Sequence, residues 1–357
     1  MGVKLAKKHR IKKQHVGIML VPTSQCDTGC SHCIDDSGCK NPIHFTEKFA
    51  KLIVSQARKE KFELSVLLTG GGEPLMTPEF LKIADVFGNY KKLLTFGIIT
   101  SGFTENEFQR KSQLETLLKR PYAEKLIVEQ SFNLYHQTFP ERLANMTQLM
   151  MRLGKTDFYV RMCTSATNFY QTHRKLEEVL QEIAKKIKGR AFQLPIEDTS
   201  LEDEPLDFIR ENVSERLTVE AFFSPQWHIL QTKKEVFAII ANSFFLTREG
   251  RASKLKEDSL DYCVCDSLKT FSDYDVSLFI APDGTVYPEC PCFPDKRMQL
   301  GKIGEDSLVE IVRRKQIFNQ RIFQEILADR RMSQWATRET CKLCRQLVAE
   351  KGISLGL

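Results

Sequence analysis

Between residues 17 and 196 the chain alternates between short apolar, β-rich runs and longer segments with helical spacing. The runs are GIMLVP (17–22), LSVLLT (64–69), LTFGIIT (94–100), KLIVEQS (125–131), DFYVRMC (157–163) and AFQLPI (191–196). Each is too apolar to be half-exposed, as expected where helices cover both faces of a parallel sheet. The spacing predicts helices over 47–61, 77–88, 104–119, 139–153 and 173–188, the first capped by Thr46. Six strand–helix units imply parallel strands with right-handed crossovers, too few for a closed eight-stranded barrel. The expected class is α/β, as an open partial barrel or a doubly wound sheet.

The pattern then changes. Residues 197–207 are acidic and proline-broken, as in a linker, and 226–246 carry helical periodicity. SLFIAPDGTVYPEC reads as a β-hairpin about Asp283-Gly284, followed by a helix over 306–330 and then Cys341-Lys-Leu-Cys344. Four regions are expected: a basic arm over 1–16, a core over 17–200, a connector with a helical segment over 201–260, and a small cysteine-rich α+β module with a hairpin over 261–357.

Composition narrows the functional classes. With 42% hydrophobic and 27% charged residues in 357, fibrous and wholly disordered readings are excluded. No stretch approaches the roughly 20 apolar residues of a membrane span, and the first residues lack the apolar segment of a secretory signal. A cytoplasmic protein without a membrane partner is expected. Much of the net charge of +6 lies in Lys4, Lys7, Lys8, Arg10, Lys12 and Lys13. This arm reads as a solvated terminus, or as a contact for nucleic acid or an acidic partner.

The eleven cysteines change the picture most, because without a secretory signal they argue for metal rather than disulfides. Nine fall in two clusters, Cys26/Cys30/Cys33 and Cys263/Cys265/Cys290/Cys292/Cys341/Cys344; Cys39 and Cys163 stand apart, Cys163 as a core residue of a strand. Cys26-Asp-Thr-Gly-Cys30-Ser-His-Cys33 follows the first strand, at the edge where open α/β sheets bind ligands. Three thiolates there can hold three irons of a [4Fe–4S] cube and leave the fourth open. Zinc, with Cys39 as a fourth ligand, is the alternative. Thr69-Gly70-Gly71-Gly72-Glu73-Pro74 follows the second strand at the same edge, and its glycines permit close backbone approach to a small ligand. A protein that uses its metals only for structure and binds nucleic acid through the arm would leave these glycines without a role, so nucleic acid is not an expected partner.

CDTGCSHC, one strand–helix unit before TGGGEP, resembles the radical S-adenosylmethionine (SAM) enzymes over residues 17–196. The resemblance implies a partial (β/α)6 TIM-like barrel. It implies that Cys26, Cys30 and Cys33 bind a [4Fe–4S] cluster whose open iron chelates SAM. The backbone of Gly70, Gly71, Gly72 and Glu73, ahead of Pro74, would bond the SAM amino group; His32 would pack near the adenine, and Ser131 would contact the ribose. Asn133 stands where related enzymes often carry Asp, and His136 and Arg142 are either further family positions or a surface loop. The implied chemistry is reductive cleavage of SAM to a 5′-deoxyadenosyl radical that abstracts hydrogen from substrate, with a low-potential electron donor such as flavodoxin or ferredoxin.

The C-terminal pattern resembles the SPASM/twitch modules, which carry auxiliary clusters. Cys290 comes six residues after Gly284, one beyond the usual spacing, and no cysteine follows Cys344. Six thiols suffice for one four-cysteine cluster, so one auxiliary [4Fe–4S] cluster is expected; Cys341 and Cys344 are the firmest ligands, the rest coming from Cys263, Cys265, Cys290 and Cys292. Zinc is the alternative here too. Asp266, Asp283, Tyr262, Trp227 and His228 are candidate lining residues, Asp283 more simply a turn residue. The resemblance points to an oxidative peptide- or protein-modifying maturase. Against a peptide substrate, only 25 residues precede Cys26, too few for an N-terminal leader-recognition domain. The alternative is a sugar or amino-sugar dehydrogenase or epimerase.

Overall fold

The computed structural model describes residues 15–31, 33, 37–38, 40–155, 157–164, 168–193, 226–233, 236–245, 275–288 and 298–328. The strands are β1 (His15–Leu20), β2 (Glu63–Leu68), β3 (Leu93–Thr100), β4 (Leu126–Phe132), β5 (Asp157–Thr164), β6 (Arg190–Gln193), β7 (Gln226–Gln231), β8 (Val236–Phe245), β9 (Asp275–Ile280), β10 (Thr285–Pro288) and β11 (Gly301–Lys302). The helices are α1 (Glu47–Glu60), α2 (Phe80–Gly88), α3 (Phe108–Leu118), α4 (Phe139–Arg152), α5 (Phe169–Lys186) and α6 (Leu308–Ala328). All the described strands join one open mixed sheet in the order β11-β10-β9-β1-β2-β3-β4-β5-β8-β7-β6. From β9 to β8 every neighbouring pair is parallel. The carboxyl ends of β1 to β5 therefore share one edge. This is the α/β partial barrel expected.

β1, β2 and β4 are not buried on both faces, as their apolar runs suggest: they alternate between buried and more exposed residues, and that alternation explains the packing. Val16, Ile18 and Leu20 of β1, Leu64, Val66 and Leu68 of β2, and Val128 and Phe132 of β4 are buried in one core with the apolar stripes of the helices. On α1 that stripe is Ala50, Ile53, Val54 and Ala57. Thr46 caps α1 by accepting from the Phe49 N–H at 3.5 Å, and Lys61, at φ 61°, closes it.

Two further expectations are corrected. Residues 226–246 do not form a helix: 226–231 and 236–245 are the antiparallel pair β7–β8. The sixth parallel strand is β8 beside β5, whereas β6 (residues 190–193) is an antiparallel edge strand. The physical reason lies in VFAIIANSFF: Phe237, Ile239 and Ala241 bury on one face and Ile240 on the other. A strand buried on both sides loses its two-residue period and cannot be told from a buried helix. In AFQLPI, Pro195 already marks an edge.

The hairpin about Asp283-Gly284 is present as β9–β10. Gly284 turns with φ +85°, and the Asp283 carboxylate accepts from the Thr285 N–H at 3.0 Å and hydroxyl at 2.8 Å, so Asp283 is the turn residue. Among the described residues no helix is long and apolar enough to cross a membrane.

Candidate active site at the carboxyl edge of the sheet

Two loops meet beyond β1 and β2. The first runs from Pro22 through the cysteine triplet; the second is Gly70–Pro74. The Glu73 N–H donates to Gln25 O at 2.8 Å, and the Ser37 hydroxyl donates to Gly71 O. The Ser37 N–H in turn lies 3.4 Å from Cys33 Sγ. Gly72 shows why a side chain is not tolerated: a Cβ there would sit 2.5 Å from Gln25 O, nearer still to Thr23 O, and 3.0 Å from Gln25 N. Gly71 has φ +64° and would collide with Val21. These two glycines therefore seat one loop on the other, a role beyond the ligand approach read from the sequence.

Glu73 is 2% exposed, and its side chain is fully engaged. Its carboxylate accepts from the Leu75 N–H (3.1 Å), the Thr100 hydroxyl (2.7 Å), and the Ser101 N–H (2.8 Å) and hydroxyl (2.7 Å). Pro74 opens the buried turn that follows. This pins the second loop to the carboxyl end of β3. The Gly72 N–H is taken by Gly70 O at 2.7 Å, as the Glu73 N–H is by Gln25 O. What the loop retains for a ligand is carbonyl oxygen, the acceptor that an ammonium group requires.

The three cysteines are half-buried thiols on the first loop. The Cys33 N–H donates to Cys30 O at 3.3 Å, and Cys30 packs against the core. Burial pushes the Cys26 thiol pKa up, hydrogen bonds from Thr28 oppose it, and Glu73 and Cys33 add to the rise. A bound cation reverses that balance by stabilising thiolate. Among the described residues no three His, Cys, Asp or Glu side chains close on a single-ion site. A cube draws each thiolate to a different iron, so half-buried thiols along one loop, beside a carbonyl-bearing turn, fit an iron–sulfur cluster and its ligand.

Ser131 lies half-buried on β4, two residues along from Glu129 and so on the same face, opposite Arg161 of β5 in the ladder. Arg161 Nε donates to Glu129 at 3.0 Å. Asn133 is buried, its Oδ1 accepting from the Tyr135 N–H at 2.9 Å, and His136 Nδ1 meets the Thr138 hydroxyl at 2.8 Å ahead of α4. Arg142 is not on a surface loop: it is 4% exposed on α4 and donates to Glu107 and Gly102 O, each at 2.9 Å. Gln130, on the opposite face of β4 from Ser131, is buried with neither side-chain polar atom bonded. His228 is buried on β7 with its pKa lowered to about 4 by desolvation, and it belongs to the packing against α5 rather than to this edge. His32, Cys39, Tyr262, Cys263, Cys265, Asp266, Cys290, Cys292, Cys341 and Cys344 lie outside the described residues, as do the side chains of Cys163 and Trp227.

Sequence reading missed Arg110, Glu107, Thr100 and Ser101. Arg110 is 3% exposed on α3 and pairs with Asp27, the residue after Cys26, and with Glu107 at 3.1 Å. Its signal was present: the buried stripe of α3 is Arg110, Leu114, Leu117 and Leu118, so a cation occupies an apolar position.

The structure thus places a cysteine triplet after the first strand against a Gly-Gly-Glu turn after the second, on an open and largely parallel sheet. Residues 274–345 match the family model SPASM, an iron–sulfur cluster-binding domain. That match covers the C-terminal part of the chain and assigns it an iron–sulfur cluster-binding module. Among solved structures, BtrN in complex with AdoMet and 2-DOIA is 13% identical with a TM-score of 0.38, over 88% of this chain and 87% of that one. SuiB of Streptococcus suis is 13% identical with a TM-score of 0.41, over 79% and 60%. HydG, a maturase of the [FeFe]-hydrogenase, is 10% identical with a TM-score of 0.35, over 50% and 41%. No curated protein matches the chain in sequence.

Proposed function

We propose that the chain is a radical SAM enzyme with SAM and [4Fe–4S] clusters as cofactors, and that it acts as an oxidative peptide- or protein-modifying maturase. The observation that carries this is the iron–sulfur module match, whose first strand, β9, pairs with β1, the strand that leads into the cysteine triplet. In this reading Cys26, Cys30 and Cys33 hold the SAM cluster, and one auxiliary cluster takes its ligands from Cys263, Cys265, Cys290, Cys292, Cys341 and Cys344. When bound, the SAM cluster supplies one-electron reductive cleavage of SAM and thereby hydrogen abstraction from substrate. An auxiliary cluster held by those C-terminal cysteines would supply an acceptor for the electron left on the substrate, as an oxidative net reaction requires. The chain's own residues do the rest: the carbonyls of Gly70–Glu73 orient the SAM ammonium, Ser131 the ribose and His32 the adenine, ahead of Pro74. A low-potential donor such as flavodoxin or ferredoxin supplies electrons. The domain limits 1–16, 17–200, 201–260 and 261–357 and a cytoplasmic location belong to the same proposal.

Iron and sulfide content after anaerobic reconstitution tests the cluster assignment. About 8 iron in the wild type falling to about 4 in the C26A/C30A/C33A variant supports two clusters. About 4 falling to none removes the auxiliary cluster, and an unchanged content overturns the triplet assignment. Release of 5′-deoxyadenosine then distinguishes the substrates: stimulation by a peptide pool supports the maturase, and stimulation by a sugar pool supports a dehydrogenase or epimerase instead.

A further inference from the structure

Arg110 is an expensive residue to bury. A guanidinium inside a protein loses its hydration, and an apolar side chain of similar volume in the stripe of α3 is often as stabilising or more so. Here it reaches the loop that carries the cysteines. Its Nη2 donates to Asp27 Oδ1, and its Nη1 points to Gly102 O and Ser101 Oγ, each at 3.3 Å. Glu107, one turn earlier, braces it at 3.1 Å. The residue after Asp27 is held on the same platform, since the Thr28 and Ser101 hydroxyls meet at 3.2 Å. Ser101 also donates to Glu73, so one small group of side chains fixes both loops of the site. Asp27 itself is half-exposed, with 49% of its side chain accessible, so its bond to Arg110 adds nothing to the core and acts on the loop.

We propose that Arg110 is a positioning residue: by holding Asp27 it sets the Cys26–Cys30 segment in the shape that accepts the cluster. The bond orders a loop that would otherwise lose conformational freedom at the moment of cluster binding. The inference rests on the assignment of the triplet as the cluster ligands. Residues behind metal ligands are worth roughly 10- to 100-fold in affinity or activity, which sets the size of the effect.

The test uses the reconstituted full chain. The readout is the decay, under chelator challenge, of the EPR signal of the reduced cluster that shifts when SAM is added. Asp27→Ala is the principal variant: Arg110 keeps Glu107, Gly102 O and Ser101 as partners, so the cluster-free protein is expected to stay folded. Its urea midpoint is measured beside the decay, so that a general loss of stability is told apart from a loss at the cluster. Its signal should decay about tenfold faster than wild type. Asp27→Asn, which keeps an oxygen for the guanidinium, should recover much of that loss. Arg110→Lys, which keeps the charge but not the fork, should decay like Asp27→Ala. Arg120→Gln breaks the ion pair with Asp85 elsewhere on the surface and should leave the decay unchanged. Wild-type decay in Asp27→Ala, with the signal absent from C26A/C30A/C33A, overturns the role of Arg110 alone. A SAM-responsive signal that survives in C26A/C30A/C33A overturns the triplet assignment as well.

Discussion

Replacing Gly72 by alanine tests whether the glycine turn is shaped by the loop it touches. The new Cβ meets backbone only: Gln25 O at 2.5 Å, Thr23 O nearer, and Gln25 N at 3.0 Å. Backbone cannot rotate away, so residues 23–25 have to move, and Cys26 moves with them. Overpacking of this kind costs about 1–3 kcal/mol. Displacing Gln25 also weakens the 2.8 Å bond from the Glu73 N–H, a further loss of about 1 kcal/mol. The expected cost is about 2–4 kcal/mol, read as a lower urea midpoint of the cluster-free protein at unchanged slope. Gly154→Ala supplies the comparison: its φ of +66° penalises a side chain by about 1 kcal/mol, but a Cβ there meets nothing within 4 Å. Iron at the triplet should fall in Gly72→Ala and not in Gly154→Ala. If Gly72→Ala costs no more than Gly154→Ala and binds iron normally, the two loops are not locked as described.

Glu73→Gln should destabilise the cluster-free protein by about 2–4 kcal/mol, because an amide NH2 then faces donors that two carboxylate oxygens now satisfy; urea unfolding measures it. Arg142→Met removes four donations, to Glu107, Gly102 O, Thr138 and Ser101, and should cost about 3 kcal/mol by the same assay, whereas a residue of a surface loop would cost almost nothing. His173 and His228 are both held near a pKa of about 4, mainly by burial, with their neighbourhood to each other adding to the fall at His173. The unfolded chain takes up protons first as pH falls below about 6.5, so the stability they contribute is full above that pH and is lost on the way down to about 4. Between pH 7 and 5 each should account for about 2 kcal/mol of lost stability, and His228→Gln should flatten the profile by one histidine's share.

The parts of the fold that were legible share a physical property: their signal is local. The short apolar runs of β1 to β5, the Thr46 cap and the Asp283-Gly284 turn declare themselves within a few residues, although the runs suggested burial on both faces where β1 and β2 alternate. The β7–β8 pair did not, because Ile239 and Ile240 are buried on opposite faces and the hydrophobic period vanished. The site divides in the same way. The cysteine triplet and Gly70–Glu73 were readable because spacing alone carries their chemistry. Arg110, Glu107 and Ser101 act on residues 27, 73 and 142, and such partnerships appear only once the sheet aligns the ends of β1, β2 and β3. The readable trace was an arginine in the apolar stripe of a helix, at position 110 on α3 and again at 142 on α4.

The pairing of β9 with β1 bears on whether the C-terminal module is an appendage. All six residues of β1 are matched, His15 to Asp275 through Leu20 to Ile280, and the ladder continues with the Val21 N–H donating to Ile280 O at 2.9 Å. Val276, Leu278 and Ile280 are each 0% exposed in the same core as the barrel helices. The attachment extends to α1, where the Gln56 side chain accepts from the Leu308 N–H and Gly284 lies against Phe49. At about 2–3 kcal/mol for each buried aliphatic side chain, those three strand residues alone account for roughly 6–9 kcal/mol. A whole domain has only about 5–15 kcal/mol to lose. Removing residues 274–357 should therefore abolish a cooperative urea transition in the remaining chain and, with it, iron binding at the triplet. An independent appendage makes the opposite prediction: the shortened chain unfolds at the wild-type midpoint and still reconstitutes the SAM-responsive cluster. That result would show that β9 leans on a barrel already complete at β1, and the proposed passage of an electron from the barrel to the module would then need a contact other than this strand pair.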